Sequence, residues 1–129
     1  MTKQRVLFVC VENSNRSQMA EAFARVAGGD QVEALSAGSR PSGRINPKAV
    51  RFMAELGYDL ASQHSKSLDD VVGEFDAVVT MGCGDSCPWV PARIREDWAL
   101  PDPKDLDDDG YRAVRDDIGR RVRALLASL

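Results

Sequence analysis

No apolar run in the sequence approaches the ~20 residues that a membrane-spanning helix requires, so no such helix is expected. Ahead of Cys10 there is only Val6-Leu7-Phe8-Val9, too short for the hydrophobic stretch of a secretory signal, and a cytoplasmic location is expected. An excess of one charge is missing too. Seventeen Lys and Arg stand against 20 Asp and Glu, a net charge of −3, which offers no bulk attraction to nucleic acid or to an acidic membrane. Histidine is reduced to His64 and cysteine to three residues. An odd number of cysteines in a reducing compartment argues against a disulfide framework and for reactive thiols. Repeats, low-complexity tracts and linkers are absent. A length of 129 residues suffices for one hydrophobic core and is short for two, so residues 1–129 are read as a single domain.

What is present is concentrated in Cys10-Val11-Glu12-Asn13-Ser14-Asn15-Arg16-Ser17. An apolar run reading as a buried strand precedes it, and Gln18-Met19-Ala20-Glu21-Ala22-Phe23 after it reads as the start of a helix. In a strand, tight loop and helix N-terminus the backbone N–H groups of the loop converge, and the helix dipole adds positive potential there. Arg16 supplies a planar fork suited to a tetrahedral oxyanion. The same field favours the thiolate of Cys10. Residues Val11 to Ser17 are therefore read as an oxyanion-binding loop over a nucleophile, with Asn15 tolerant of left-handed backbone.

Along the chain, strands are expected at Lys3–Val9, Gln31–Ser36 (weakly patterned, hence at a sheet edge), Phe75–Thr80 and Glu96–Leu100. Helices are expected at Ser17–Ala27, with Met19, Ala20, Phe23, Val26 and Ala27 inward, and from Asn46-Pro47 to Gly57, with Val50, Met53 and Ala54 inward. A short helix is read within Ser65–Val72. The longest runs over Asp107–Leu129, with Tyr111, Val114, Ile118, Val122, Leu125 and Leu129 on one face. Strands alternating with helices imply a parallel sheet covered on both faces, whose ligands bind beyond the carboxyl ends of the strands. Cys10, Cys83 and Asp102 each fall just past an expected strand end.

Cys-x5-Arg-Ser after a strand resembles the phosphate-binding loop of the low-molecular-weight protein tyrosine phosphatases. The longer string CVENSNRSQMAE is closer to their relatives, the thioredoxin-coupled arsenate reductases, which often carry His and Gly where Glu12 and Asn15 stand. The likeness runs through Ser36-Ala37-Gly38, Asn46-Pro47 and Glu96-Asp97-Trp98. It implies an α/β domain with four parallel strands in the order 2-1-3-4 and helices on both faces, as a monomer. It also implies that Asp102, stiffened between Pro101 and Pro103, is a general acid that protonates the leaving oxygen as Cys10 attacks. The phosphatases usually follow this Asp-Pro with tyrosines that flank the substrate ring; here Lys104-Asp105 follows.

In the resembled reductases a second cysteine attacks the arsenic-bearing first one, and a third resolves that disulfide; the resemblance assigns these steps to Cys83 and Cys87. If those two were helical, their Cβ atoms would lie about 5–6 Å apart, whereas a disulfide needs ~3.5–4.5 Å, so oxidation should unwind the segment. The competing reading of the pair is a zinc site, but with His64 it falls short of four ligands at a recognised spacing. Asn13, Glu21 and Ser36 match positions that bind potassium in some arsenate reductases, and Lys66 falls at the fourth, where an ammonium can replace the ion and pair with Glu21. Asn13 and Ser36 serve equally as braces of the loop. The expected reaction is arsenate to arsenite, through a Cys10 adduct and a Cys10-Cys83-Cys87 relay re-reduced by thioredoxin, with no cofactor, a potassium ion or the Lys66 ammonium being the alternatives at that site. The alternatives are phosphate monoester hydrolysis through a Cys10 phosphocysteine and a non-catalytic oxyanion-binding module, the latter leaving Cys83 and Cys87 unexplained.

Overall fold

A computed structural model describes residues 3–82 and 90–129. Cys83 and Cys87, and with them Trp89, lie outside the described residues. The chain runs β1 (Gln4–Cys10), α1 (Arg16–Gly28), β2 (Val32–Gly38), α2 (Pro47–Ala54), β3 (Phe75–Thr80), β4 (Ala92–Asp97) and α3 (Asp108–Ser128), with 3-10 turns at Gly29–Gln31, Leu68–Asp70 and Pro103–Asp105. The strands form one parallel sheet in the order β2-β1-β3-β4, as expected. Cys10 pairs with Gly38 on one side of β1, and Val9 with Thr80 on the other. The C-terminal ends of the two central strands and of β2 thus open onto one rim.

Alternation along β1 divides its side chains between two apolar layers. Val6, Phe8 and Cys10 face the larger one, with Met19, Ala20 and Phe23 of α1, Ala49, Phe52 and Met53 of α2, and Tyr111, Val114, Ile118, Val122 and Leu125 of α3. Leu7 and Val9 face the smaller one, closed by Ala37, Val78 and the residues around the turn at Leu68–Asp70. Each large apolar side chain buried here contributes roughly 1.5–3 kcal/mol. With both faces covered, the central strand is apolar without interruption from Val6 to Val9.

Four local expectations are corrected. β4 spans Ala92–Asp97 and ends where the sequence reading had it begin. It is an edge strand with Arg93, Arg95 and Glu96 turned outward, whereas apolar Trp98 and Leu100 enter the core from the loop that follows. The buried face of α2 is Ala49, Phe52 and Met53, about one residue round from the expected stripe, because the Phe52 ring packs against Tyr111 at 4.9 Å between centroids; Val50 and Ala54 are exposed. The last turn of α1 leaves Val26 and Ala27 in solvent. Ser65–Val72 contains only the 3-10 turn, begun by the Ser67 side chain accepting from the Asp69 amide.

Candidate active site

Cys10 closes β1 and is buried, 4% exposed. The loop beyond it is held from outside by the segment that follows β2. The carbonyls of Cys10, Val11, Glu12 and Ser14 accept from the amides of Ser39, Arg40, Ser42 and Asn46 at 2.8–3.3 Å. In a planar trans peptide the next N–H points opposite to the carbonyl. Drawing these four carbonyls outward therefore turns the N–H groups of Val11, Glu12, Asn13 and Asn15 toward the concave side. Gly38 is required for this approach, since a Cβ there would stand 2.5 Å from the Val11 carbonyl oxygen.

Two asparagines brace the loop in different ways. Asn13 takes the left-handed backbone, φ 51°, and not Asn15, whose φ is −122°. Asn13 is fully buried: its Nδ2 donates to the Ser17 hydroxyl at 2.8 Å, and its Oδ1 accepts from the Lys66 amide and from Gln18, both at 3.0 Å. The Asn15 Oδ1 accepts from the Tyr111 hydroxyl at 2.5 Å, which ties the loop to α3. Burial, and after it the nearby Asp102 charge, raises the Tyr111 phenol well above its ordinary value, so this donor keeps its proton. Tyr111 was legible in the sequence only as one member of an apolar stripe.

The Ser17 hydroxyl stands 2.8 Å from Cys10 Sγ, both groups buried. With Cys10 as thiolate, this hydroxyl donates to sulfur while accepting from Asn13. Above the sulfur opens a cavity of about 290 Å³ lined by Cys10, Val11, Glu12, Ser14, Asn15, Arg16, Asp102 and Lys104. Arg16 extends from the first turn of α1 and donates through Nη1 to the Leu100 carbonyl at 2.8 Å, which fixes its fork beside the Asp102 loop. Gly82, at φ 77°, leaves room for this bond: a Cβ there would lie 3.1 Å from Arg16 Nη1 and 3.2 Å from the Leu100 oxygen. Asp102 caps its own turn by accepting from the Lys104 amide at 3.1 Å.

Cys10, Arg16 and Asp102 thus meet at one cavity with Val11, Glu12, Ser14 and Asn15 of the loop, while Asn13 and Ser17 lie beneath it as supports. Lys104 belongs to the lining, although the sequence reading noted it only as a residue in place of the phosphatases' tyrosines. Glu21, Ser36 and Lys66 come together below: the Ser36 hydroxyl donates to Glu21 Oε1 at 2.7 Å, and Lys66 Nζ lies 3.7 Å from the same oxygen. Arg25 holds Glu21 Oε2 at 3.1 Å. Two cations already balance Glu21, an arrangement that fits poorly to a potassium ion. His64 is exposed and engages its neighbours through its carbonyl, which accepts from Gln18 and Lys66. Among the described residues no cluster of three His, Cys, Asp or Glu could hold a metal, and no helix is long and apolar enough to cross a membrane.

The family described as low molecular weight phosphotyrosine protein phosphatase matches residues 5–129. A glutaredoxin arsenate reductase of Synechocystis is 38% identical, the alignment covering 98% of each chain. A solved arsenate reductase in the phosphate-binding state superposes with a TM-score of 0.90 at 37% identity, covering 97% of this chain and 98% of that one. A Corynebacterium glutamicum thioredoxin-dependent arsenate reductase gives 0.82 at 38% identity over 98% of this chain and 61% of the other.

Proposed function

The chain belongs to the low-molecular-weight phosphotyrosine protein phosphatase family, and from that premise we propose that it is an arsenate reductase working through a cysteine relay. The observation that carries the chemistry is a buried Cys10 sulfur lining a cavity that Arg16 and Asp102 also line. Cys10 attacks arsenic(V), an As–O bond breaks, and Asp102 gives its proton to the departing hydroxide, which leaves as water. Arg16 and the inward N–H groups hold the remaining oxygens, whose charge is unchanged in sign throughout. The Cys83 thiolate then attacks Cys10 Sγ. The S–As bond breaks with its electron pair passing to arsenic, arsenite departs, and a Cys10–Cys83 disulfide remains. Cys87 attacks Cys83, which frees Cys10, and a dithiol protein reduces the Cys83–Cys87 bond.

Cys83 and Cys87 are the feature that favours reduction over hydrolysis. Ester hydrolysis would use Cys10, Arg16 and Asp102 alike and would leave both of the other thiols without work. Strand register supports the relay: the Met81 amide donates to the Val9 carbonyl at 2.9 Å, so the chain leading to Cys83 leaves the sheet beside Cys10. We take thioredoxin as the reductant and the enzyme as a cytoplasmic monomer. It needs no flavin, haem or redox metal, because two thiols supply two electrons, and the Lys66 ammonium stands in for a potassium ion. Arsenate-dependent NADPH oxidation with thioredoxin and its reductase tests the reading, with glutathione and glutaredoxin as the second arm. Turnover with the first system is expected. Turnover with the second alone would replace thioredoxin, and hydrolysis of p-nitrophenyl phosphate without NADPH oxidation in either would make the protein a phosphatase.

A further inference from the structure

We propose that Lys104 recognises the fourth oxygen of the substrate and thereby selects a free tetrahedral oxyanion over a monoester. The inference rests on the arsenate reductase reading and sharpens its substrate class. Three of the four oxygens of an arsenate above Cys10 fall to the loop N–H groups and the Arg16 fork. The fourth is the leaving oxygen, and Asp102 and Lys104 are the lining residues outside the loop that remain to meet it. Asp102 accepts from the Lys104 amide, so the two residues share one tight turn stiffened by Pro101 and Pro103. The Lys104 ammonium pairs with no carboxylate among the described residues, although Glu12 and Asp102 line the same cavity.

In a free oxyanion the fourth oxygen carries only hydrogen or charge, and an ammonium beside it gains a charge-assisted hydrogen bond. In a monoester that oxygen carries carbon. The organic group then occupies the mouth, covers the ammonium and separates it from water without offering an acceptor in return. The same turn in a phosphatase carries tyrosines that flank an aromatic ring; Lys104 puts a cation where such a wall would stand. Specificity of this kind comes from a repelled competitor as much as from the favoured ligand.

The test uses the full-length enzyme and the exposed substitutions Lys104→Met and Lys104→Arg. Three readouts are taken at fixed ionic strength: the Kd of inorganic phosphate by calorimetry, kcat and KM for arsenate, and kcat/KM for p-nitrophenyl phosphate. Lys104→Met is expected to weaken phosphate about fivefold to tenfold, the worth of one partly solvated charge-assisted contact. Arsenate KM should rise by a similar factor while kcat moves far less, the ester should lose much less than phosphate does, and Lys104→Arg should restore the phosphate affinity. A phosphate Kd within about twofold of the parent would overturn the proposal. So would equal losses for phosphate and ester, which would reduce Lys104 to general electrostatic attraction. If the parent releases no arsenite, the reductase reading fails by itself, and the phosphate and ester arms still decide the role of Lys104.

Discussion

Asp102 offers one carboxylate oxygen to the Lys104 amide, and the other has no protein partner among the described residues. An asparagine can keep the first bond through its own Oδ1 but has no acidic proton to give. Asp102→Asn should therefore leave phosphate binding within a few-fold of the parent and slow the first chemical step by the ~10²–10⁴ that a general acid contributes. Arsenite released in a single turnover measures it, and an unchanged rate would assign the proton to another donor. At this scale the sequence disclosed the cavity wall and part of its support, since Asn13, Glu21, Ser36 and Lys66 were read as possible braces and Tyr111 was not. Cys10 and Arg16 stand out because their types and spacing are tied to chemistry, and Asp102 through its flanking prolines and the family resemblance. Tyr111 does not, since a phenol on an apolar stripe looks like core until its hydroxyl is found on Asn15. Lys104 was read as the mere absence of tyrosine, because nothing local in a sequence shows that a lysine faces a cavity formed 90 residues earlier.

Elements were legible where one force dominated. β1 is a continuous apolar run buried on both faces and α3 is long and periodic, so the pattern alone located them. β4 was misplaced because an edge strand needs little apolar surface, and the apolar Trp98 and Leu100 beside it belong to a loop. α2 was found but rotated, since in so short a helix one tertiary contact, Phe52 on Tyr111, decides the facing. The same pair of helices carries an ionic clamp. Arg112 donates to both Glu55 oxygens at 3.0 and 2.8 Å, and Arg115 joins Oε1 at 2.8 Å. The Arg112 bond foremost, then Arg115, holds the Glu55 carboxyl at about 2, below its ordinary 4.5. A carboxyl depressed in the folded state stabilises it above the unfolded value and ceases to do so as pH falls through the folded value. Glu55→Gln should therefore be less stable than the parent at neutral pH, with the gap closing between about pH 4.5 and 2. Urea midpoints across that range check it, and a gap constant to the acid end would show that Glu55 acts only through packing.

At the scale of the molecule, strand order matters most: β3 lies beside β1, so the chain at Met81 leaves the sheet next to Cys10. The order itself is not written in any one segment. It came from family resemblance, because parallel pairing joins residues about 30 and 70 positions apart, such as Val6 with Ala34 and with Ala77. Two variants test the relay. Cys83→Ser should retain arsenic on Cys10 and release no arsenite, whereas Cys87→Ser should release one equivalent and stop with Cys10 and Cys83 joined. Mass mapping of the disulfide and arsenite counted per enzyme distinguish the two, and sustained turnover by both would remove the relay. The segment between β2 and α2 supplies no reacting group, yet four of its amides pull the loop carbonyls outward. It also carries exposed Arg44, after which a trypsin-like protease can cut, whereas Pro41 shields the bond after Arg40. A single nick there would leave every catalytic side chain and the whole sheet in place and still disarm the enzyme, because the peptide planes around Cys10 would be free to turn over. An occupied anion site should oppose that turning, so phosphate is expected to slow inactivation by trypsin, which activity followed during limited digestion with and without phosphate would measure.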